Sequence, residues 1–395
     1  ENITNISQNQ VNLMNVGCCT NAFEGTGITN FCDWNLPKAN YCYGMFANCM
    51  NLKNFSNITM PLLIQATYMF KGCSNLETFS NFNLYNAYNC MYMFENCSNL
   101  KTVSDLNGQN ISASSFMFAN CPNLRQVSNM SFGKVGGYSS SSMFSNCQNL
   151  TLINISFPSM YYSGGLFAGV EDIQDLSGFN APNLTSAYQM FINTSGTINT
   201  DKLNMPKVTN IMNLFVSSPN LQKVTNLNCP NATYASYVFW GCTNLKQVGN
   251  INTPNLTGLS YCFYNCYNLE SIGNFACDKM NSGTDSFFPI VNNNMPYFNK
   301  LNNIGGFINL GKGYTYKSSY NNNYTVNLLR MPNLSGISVQ NIVSNLYNLA
   351  TTFNTSSPVY YQYVNLYDTQ YQNLTDAQIN TAKSKGWVFK ITNTI

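Results

Sequence analysis

Histidine is absent from the 395 residues of this chain. That removes Ser-His-Asp and Cys-His catalysis, and every zinc site that needs an imidazole. Charge is scarce as well: 8% of residues are charged, against about 25% in an ordinary soluble domain. The 15 acidic residues are mostly scattered singly. They offer no carboxylate pair of the kind a hydrolase holds about 5 to 10 Å apart. No glycine-rich phosphate loop occurs. Net charge is only +3 and no long basic run exists, which argues against nucleic acid as a partner. No apolar stretch approaches 18 residues, so no membrane insertion is expected, and no secretory leader is visible. The acidic patch Glu171, Asp172 and Asp175 reads as a loop, since a hard cation needs six to eight oxygens. No enzyme activity, metal or cofactor is therefore expected.

What the chain has instead is repetition. Asparagine is used 67 times, yet 44% of residues are hydrophobic, so this is a folded chain and not a disordered polar tract. "MFKGCSNLETFSNF" (69–82), "MFENCSNLKTVSDL" (93–106) and "MFANCPNLRQVSNM" (117–130) are near copies. Their phenylalanine sets a register shared by Phe23, Phe46, Phe70, Phe94, Phe118, Phe144, Phe167, Phe191, Phe215, Phe239, Phe263 and Phe288, spaced 23 to 26 residues apart. Apolar anchors at that period mark a leucine-rich-repeat solenoid. About twelve coils are expected, each with a short parallel β-strand and a short helical or 3₁₀ turn. Met93, Phe94 and Cys97 should point inward from the turn, and Leu100, Val103 and Leu106 from the extended part. Alternation is clearer at Ile153, Ile155 and Phe157, and at Val127, Met130 and Phe132.

Two positions read as structural ladders. Cys49, Cys73, Cys97, Cys121, Cys147, Cys242 and Cys266 share one register position and read as buried thiols, because free cysteine is a small hydrophobe. Cys18, Cys19 and Cys32 fall outside that register, and disulfides are open among them. Asn51, Asn75, Asn99, Asn123, Asn149, Asn220, Asn244 and Asn268 precede the repeat leucine. Buried there, each amide would bond the neighbouring coil's backbone or the next asparagine. The residue after that leucine differs. Lys53, Glu77, Lys101, Arg125, Lys246 and Glu270 hold much of the scarce charge at one exposed position. They form a candidate binding stripe on the strand face, or a solubility device. Tyrosines at variable positions add a second candidate surface: Tyr85, Tyr88, Tyr92, Tyr161, Tyr162, Tyr234, Tyr237, Tyr261, Tyr264 and Tyr267.

Three regions follow: an N-terminal cap over 1–22 with Leu13, Met14 and Val16, a solenoid over 23–290, and divergent repeats with an α/β cap over 291–395. In the last, Val339, Ile342, Val343, Leu346 and Leu349 have helical spacing. "VYYQYVNLY" (359–367) and "WVFKIT" (387–392) read as strands. Thr375 with Gln378 reads as a capping box, and Gly386 as a helix stop.

The unit Met-Phe-x-x-Cys-x-x-Leu-x-x-Val resembles the BspA-like branch of leucine-rich-repeat proteins over about residues 22 to 290. The ending "LTDAQINTAKSKGWVFKIT" is similar to that of repeat-bearing structural proteins of gut bacteriophages and their hosts. The resemblance implies an extracellular protein, on a virion or a cell surface. It implies attachment to a protein or glycan receptor, in a bacteriophage tail or head fibre. The alternatives are a structural building block that self-associates and a bacterial or protist surface adhesin. The chain carries 17 Asn-x-Ser/Thr sequons, including Asn57, Asn110, Asn183, Asn255 and Asn333. With asparagine this common they exceed chance only slightly.

Overall fold

The computed structural model describes residues 6, 11–280, 287–288, 298–310, 312, 325–349 and 362–393. The fold is a parallel-strand solenoid whose contacts gather into two compact units. One comprises residues 1–195 and 202–207, the other 196–201 and 208–395. Residues 1–5 and 7–10 of the N-terminal stretch expected to be a cap lie outside the described residues. Of its three named hydrophobics, Met14 is 43% exposed.

In the first unit, strands Thr78–Ser80, Thr102–Ser104, Gln126–Phe132, Leu152–Ser156 and Asp175–Asn180 stack in parallel in chain order. Asn30–Cys32 and Asn54–Ser56 form a smaller parallel pair. Equivalent residues face each other one repeat apart, as with Phe79, Val103, Val127 and Ile153. Each of these is buried, because the side-chain period of two sends every second residue of a strand inward. The coil from Phe118 to Phe144 carries two residues beyond the common period of 24. A 3₁₀ helix at Gly137–Ser140 and register shifts around Val127–Met130 and Leu152–Asn154 accompany this irregular length, and the later coils keep stacking.

The Met-Phe segments expected as helical turns are runs of turns with a different bonding rule. Along 66–73, alternate residues donate to the next coil: Ala66 to the Asn89 carbonyl at 2.9 Å, Tyr68 to Met91 at 3.1 Å, Phe70 to Met93 at 2.9 Å and Gly72 to Glu95 at 2.8 Å. The residues between donate backwards within their own coil, as Lys71 does to Tyr68. Buried N–H groups are thus satisfied across coils, where a helix would satisfy them only within itself. The alternation requires left-handed backbone two residues before and two residues after each core phenylalanine. Both places have it: Tyr68 (φ 58°) and Gly72 (φ 73°), Tyr92 (57°) and Asn96 (63°), Asn213 (57°) and Ser217 (55°).

Inside, the core phenylalanines form a column. From Phe23 to Phe167 successive rings lie 5.3 to 5.7 Å apart at interplanar angles of 4° to 13°. Phe215, Phe239 and Phe263 repeat the stack in the second unit at 5.2 Å. Beside the column the ladder thiols are buried. The sulfurs of Cys73, Cys97, Cys121 and Cys147 each donate to the phenylalanine carbonyl of the preceding coil at 3.0 to 3.1 Å. The position takes a small side chain, in most coils one with a donor. Where cysteine is missing, Thr26 and Thr194 occupy it and bond Phe23 and Phe191, and Val170 fills it without a donor. Burial pushes the thiols of Cys73, Cys97, Cys121 and Cys147 up, to about 12 at Cys121.

The second unit continues with parallel strands Gly196–Ile198, Leu221–Val224, Gln247–Val248, Ser271–Ala276 and Asn303–Ile308. A further parallel sheet joins Thr325–Asn327, Gln362–Tyr367 and Trp387–Thr392. Helix α1 (Gly336–Ser344) buries Val339, Ile342 and Val343 and is capped by Ser335. Leu346 and Leu349 are buried too, but beyond the helix end. There the chain turns to donate from Tyr347 to Leu310 and from Leu349 to Lys385. Helix α2 (Asp368–Tyr371) precedes helix α3 (Asp376–Ser384), whose Thr375–Gln378 capping box is present.

Candidate binding faces

The charge stripe sits one residue ahead of the strands. Lys53, Glu77, Lys101 and Arg125 in the first unit, and Lys246 in the second, are exposed, with Glu270 half-buried. Their backbones are fixed by coil-to-coil bonds, such as Lys101 N to Glu77 O at 2.7 Å. The Lys101 Nζ lies 2.7 Å from Glu77 Oε2 and holds that carboxyl below its usual range. At 51% and 60% side-chain exposure, the pair is screened by solvent and adds little to stability. The outward strand residues around it are small and polar, such as Thr78, Ser80, Thr102 and Ser104. Leu152, 42% exposed, is an exception.

The asparagines ahead of the leucines lie at the rim, and this corrects the expectation that they are buried. Asn51, Asn99, Asn149, Asn220 and Asn244 are exposed, and Asn75, Asn123 and Asn268 half-buried. They bond as the stacking dictates: Asn123 to Ser98 O at 2.8 Å, Asn149 to Pro122 O at 2.7 Å, Asn268 to Thr243 O at 2.8 Å and Asn99 to Asn75 Oδ1 at 3.5 Å. A further side-chain ladder runs three residues earlier, from Asn146 to Asn120 at 2.8 Å and from Asn120 to Asn96 at 3.1 Å. Those are left-handed positions, where asparagine and glycine alone avoid most of the steric cost. The sequon asparagines also serve the stack: Asn110, Asn183 and Asn255 donate to Tyr85, Pro158 and Pro230 carbonyls of the preceding coil at 2.7 to 2.9 Å.

The aromatic surface is more ordered than the sequence suggested. Tyr92, Tyr237 and Tyr261 do not fall at variable positions. Each sits two residues before a core phenylalanine, in left-handed backbone. Tyr68 and Phe116 share that site and escaped notice, although the two-residue offset from phenylalanine was legible. Tyr68 and Tyr92 stack at 4.9 Å, Tyr92 and Phe116 at 5.0 Å with planes 2° apart, and Tyr43 meets Tyr68 edge-on at 5.2 Å. Lys71 lies 4.9 Å over the Tyr68 ring and pairs with Glu95 at 2.8 Å, which raises the lysine's pKa. In the second unit Tyr237 stacks on Tyr261 at 5.5 Å and Trp240 on Tyr264 at 6.0 Å. A third group lies near the 3₁₀ helix. Tyr138 is 74% exposed and meets Tyr162 at 4.4 Å, while Tyr161 covers Gly137, where a Cβ would stand 2.4 Å from its hydroxyl.

A bulky residue in left-handed backbone is an outlier that costs roughly 1 to 2 kcal/mol. Asn21, Gly44, Gly165 and Asn213 show that cheaper residues serve at the same site. Ring stacking offsets only about 0.5 to 1.5 kcal/mol per pair. The alternating backbone bonds therefore do not themselves ask for an aromatic at this site.

Residues 2–125 and 66–196 match the family described as BspA type leucine rich repeat region. Residues 185–298 match one described as Mycoplasma protein of unknown function, DUF285. Among solved structures, the chain is similar to a leucine rich cell surface protein from Faecalibacterium prausnitzii A2-165. The identity is 16%, covering 70% of this chain and 76% of that one, with a TM-score of 0.26. No curated protein matches. Among the described residues no helix is long and apolar enough to cross a membrane.

Proposed function

Residues 2–196 match the BspA type leucine-rich-repeat family, and from that premise we propose a non-enzymatic attachment module displayed outside the cell. Its work is to present a rigid face to a protein or glycan on another surface. The observation that carries this reading is the row Tyr68, Tyr92 and Phe116, aromatics held where the backbone favours glycine or asparagine. Strain of this kind persists where a function needs it and the surroundings over-determine it. Aromatic side chains also supply large contact area at low entropic cost.

Ring geometry narrows the mode of contact. In the stack the ring faces are covered by their neighbours, so edges and hydroxyls point to the partner. Sugar stacking would instead use Tyr138, the most exposed of these rings. The strand-face residues Lys53, Glu77, Lys101 and Arg125 form the second candidate surface in the first unit, as Lys246 and Glu270 do in the second. It ranks behind because Glu77 and Lys101 satisfy each other. The bacteriophage setting is the finer form of the proposal and rests on the C-terminal resemblance over 374–392.

The test compares two sets of substitutions, with binding of labelled protein to cells and to a glycan array as the readout. Tyr68→Asn, Tyr92→Asn and Phe116→Asn together should lower binding at least tenfold. Stability should change by under about 1 kcal/mol per site, because asparagine relieves the left-handed strain as stacking is lost. Binding that survives this set but falls with Lys53→Ala and Arg125→Ala would move the site to the strand face. Binding untouched by both sets would leave neither surface as the contact.

A further inference from the structure

Seven of the cysteines form the carbonyl-bonded ladder described above, but one pair does not follow that rule. Cys19 and Cys42 each lie four residues before a core phenylalanine, in the first and second coils. Cys18 bridges Tyr41 in parallel register and Cys19 N donates to Tyr41 O at 2.8 Å, so Cys19 stands beside Cys42 on neighbouring coils. Both side chains are buried, at 2% and 0% exposure. The sulfurs of Cys73, Cys97 and Cys121, by contrast, bond phenylalanine carbonyls. The next coil carries Ala66 at this position, fully buried, and so ends the thiol contact.

We propose that Cys19 and Cys42 are a redox pair that closes to a disulfide under oxidising conditions and staples the first coil to the second. Adjacent parallel strands hold matched Cα atoms about 4.8 Å apart, inside the roughly 4.4 to 6.8 Å span that a disulfide bridges. Cys18 is excluded as the partner by its direction: it is exposed and its sulfur lies 3.3 Å from the Thr20 hydroxyl. The oxidant is a low-molecular-weight disulfide such as glutathione disulfide. The Cys19 thiolate attacks one of its sulfurs and releases one glutathione, leaving a mixed disulfide on Cys19. The Cys42 thiolate then attacks the Cys19 sulfur and releases the second glutathione. Two electrons and two protons pass from the cysteines to the oxidant. The Cys42 thiol beside it holds Cys19 below its usual pKa while Cys42 itself is raised, so Cys19 is the attacking group and Cys42 gives up its proton only in the second step.

The test is to incubate the folded full chain with glutathione disulfide, alkylate remaining thiols, and read intact mass and a non-reducing peptide map. The expected result is a loss of two hydrogens, with the new link mapping to Cys19 and Cys42. The amides of 19–23 should then exchange more slowly than in the reduced protein. Cys42→Ala should abolish the mass loss; alanine fits, since Ala66 fills the equivalent site. Cys18→Ser should leave it intact. An unchanged mass, a glutathione adduct confined to Cys18, or a link that survives Cys42→Ala would each overturn the proposal.

Discussion

The left-handed residues explain why asparagine is so abundant. The two that flank each core phenylalanine let alternate N–H groups reach the neighbouring coil, and Asn57, Asn81 and Asn129 take a third left-handed site beyond the strand. Asn96 shows both benefits: its backbone takes φ 63° and its side chain accepts from Asn120. Asn96→Val should cost about 2 kcal/mol, from the left-handed penalty and the lost bond together. Asn96→Gly should cost less than half of that, since glycine keeps the backbone free. Chemical denaturation of the two variants beside the parent chain checks this. Equal costs would mean that the side-chain bond, and not the backbone, selects asparagine. The asparagine ahead of each leucine was legible as a recurring residue. Its exposure was not, because periodicity fixes a residue's place along the coil but not how far the rim stands from the core.

At the scale of elements, a coil is stabilised by what it shares with its neighbours and little by itself. Every strand is short, often three residues, and too brief to be stable alone. The helices of the second unit are different, since they carry local signals. Helix α3 has Thr375 accepting from Gln378 N at 3.2 Å and Gln378 Oε1 accepting from Thr375 N at 3.0 Å. Asp376 stands in its first turn and Lys383 in its last, each on the favourable side of the helix dipole. Thr375→Ala should lower the local opening free energy of α3 by about 1 kcal/mol. Hydrogen exchange of the α3 amides reads this directly, and unchanged protection would show that packing against α1 alone holds the helix. These boundaries were legible because capping is written in four residues. The end of α1 was not, because Leu346 and Leu349 keep helical spacing while the backbone leaves the helix to bond Leu310 and Lys385.

For the whole molecule, the buried thiols make stability depend on alkali. Burial raises Cys73, Cys97, Cys147 and Cys277 well above the ordinary thiol value, and Cys121 and Cys229 to about 12. A raised folded pKa keeps the proton on in the folded state, while an unfolded thiol ionises near pH 8.5. This contribution is therefore fully present below about pH 8.5 and is lost as pH climbs towards the folded values. Each buried thiol adds about 1.4 kcal/mol per pH unit to the loss, so several acting together give a steep decline. Thermal unfolding between pH 7 and 11 should show a Tm that is flat to about pH 8.5 and then falls. A Tm that stays flat to pH 10 would mean that the thiols are not sequestered from solvent in solution.

The sequence alone determined the register. Twelve phenylalanines at a near-constant period permit one arrangement of coils, because each coil must bury the same face against the next. It also marked the seven ladder cysteines as inside and the start of α3, since spacing and capping are local, but not the buried Cys19, Cys42, Cys90, Cys229, Cys262 and Cys277. Only the tertiary structure decided the outer surface. The left-handed sites on both sides of phenylalanine exist because N–H groups must find acceptors on a neighbouring coil, a demand that no single repeat contains. That demand put Tyr68, Tyr92 and Phe116 into one column, sent the ladder asparagines to the rim, and set Cys19 beside Cys42.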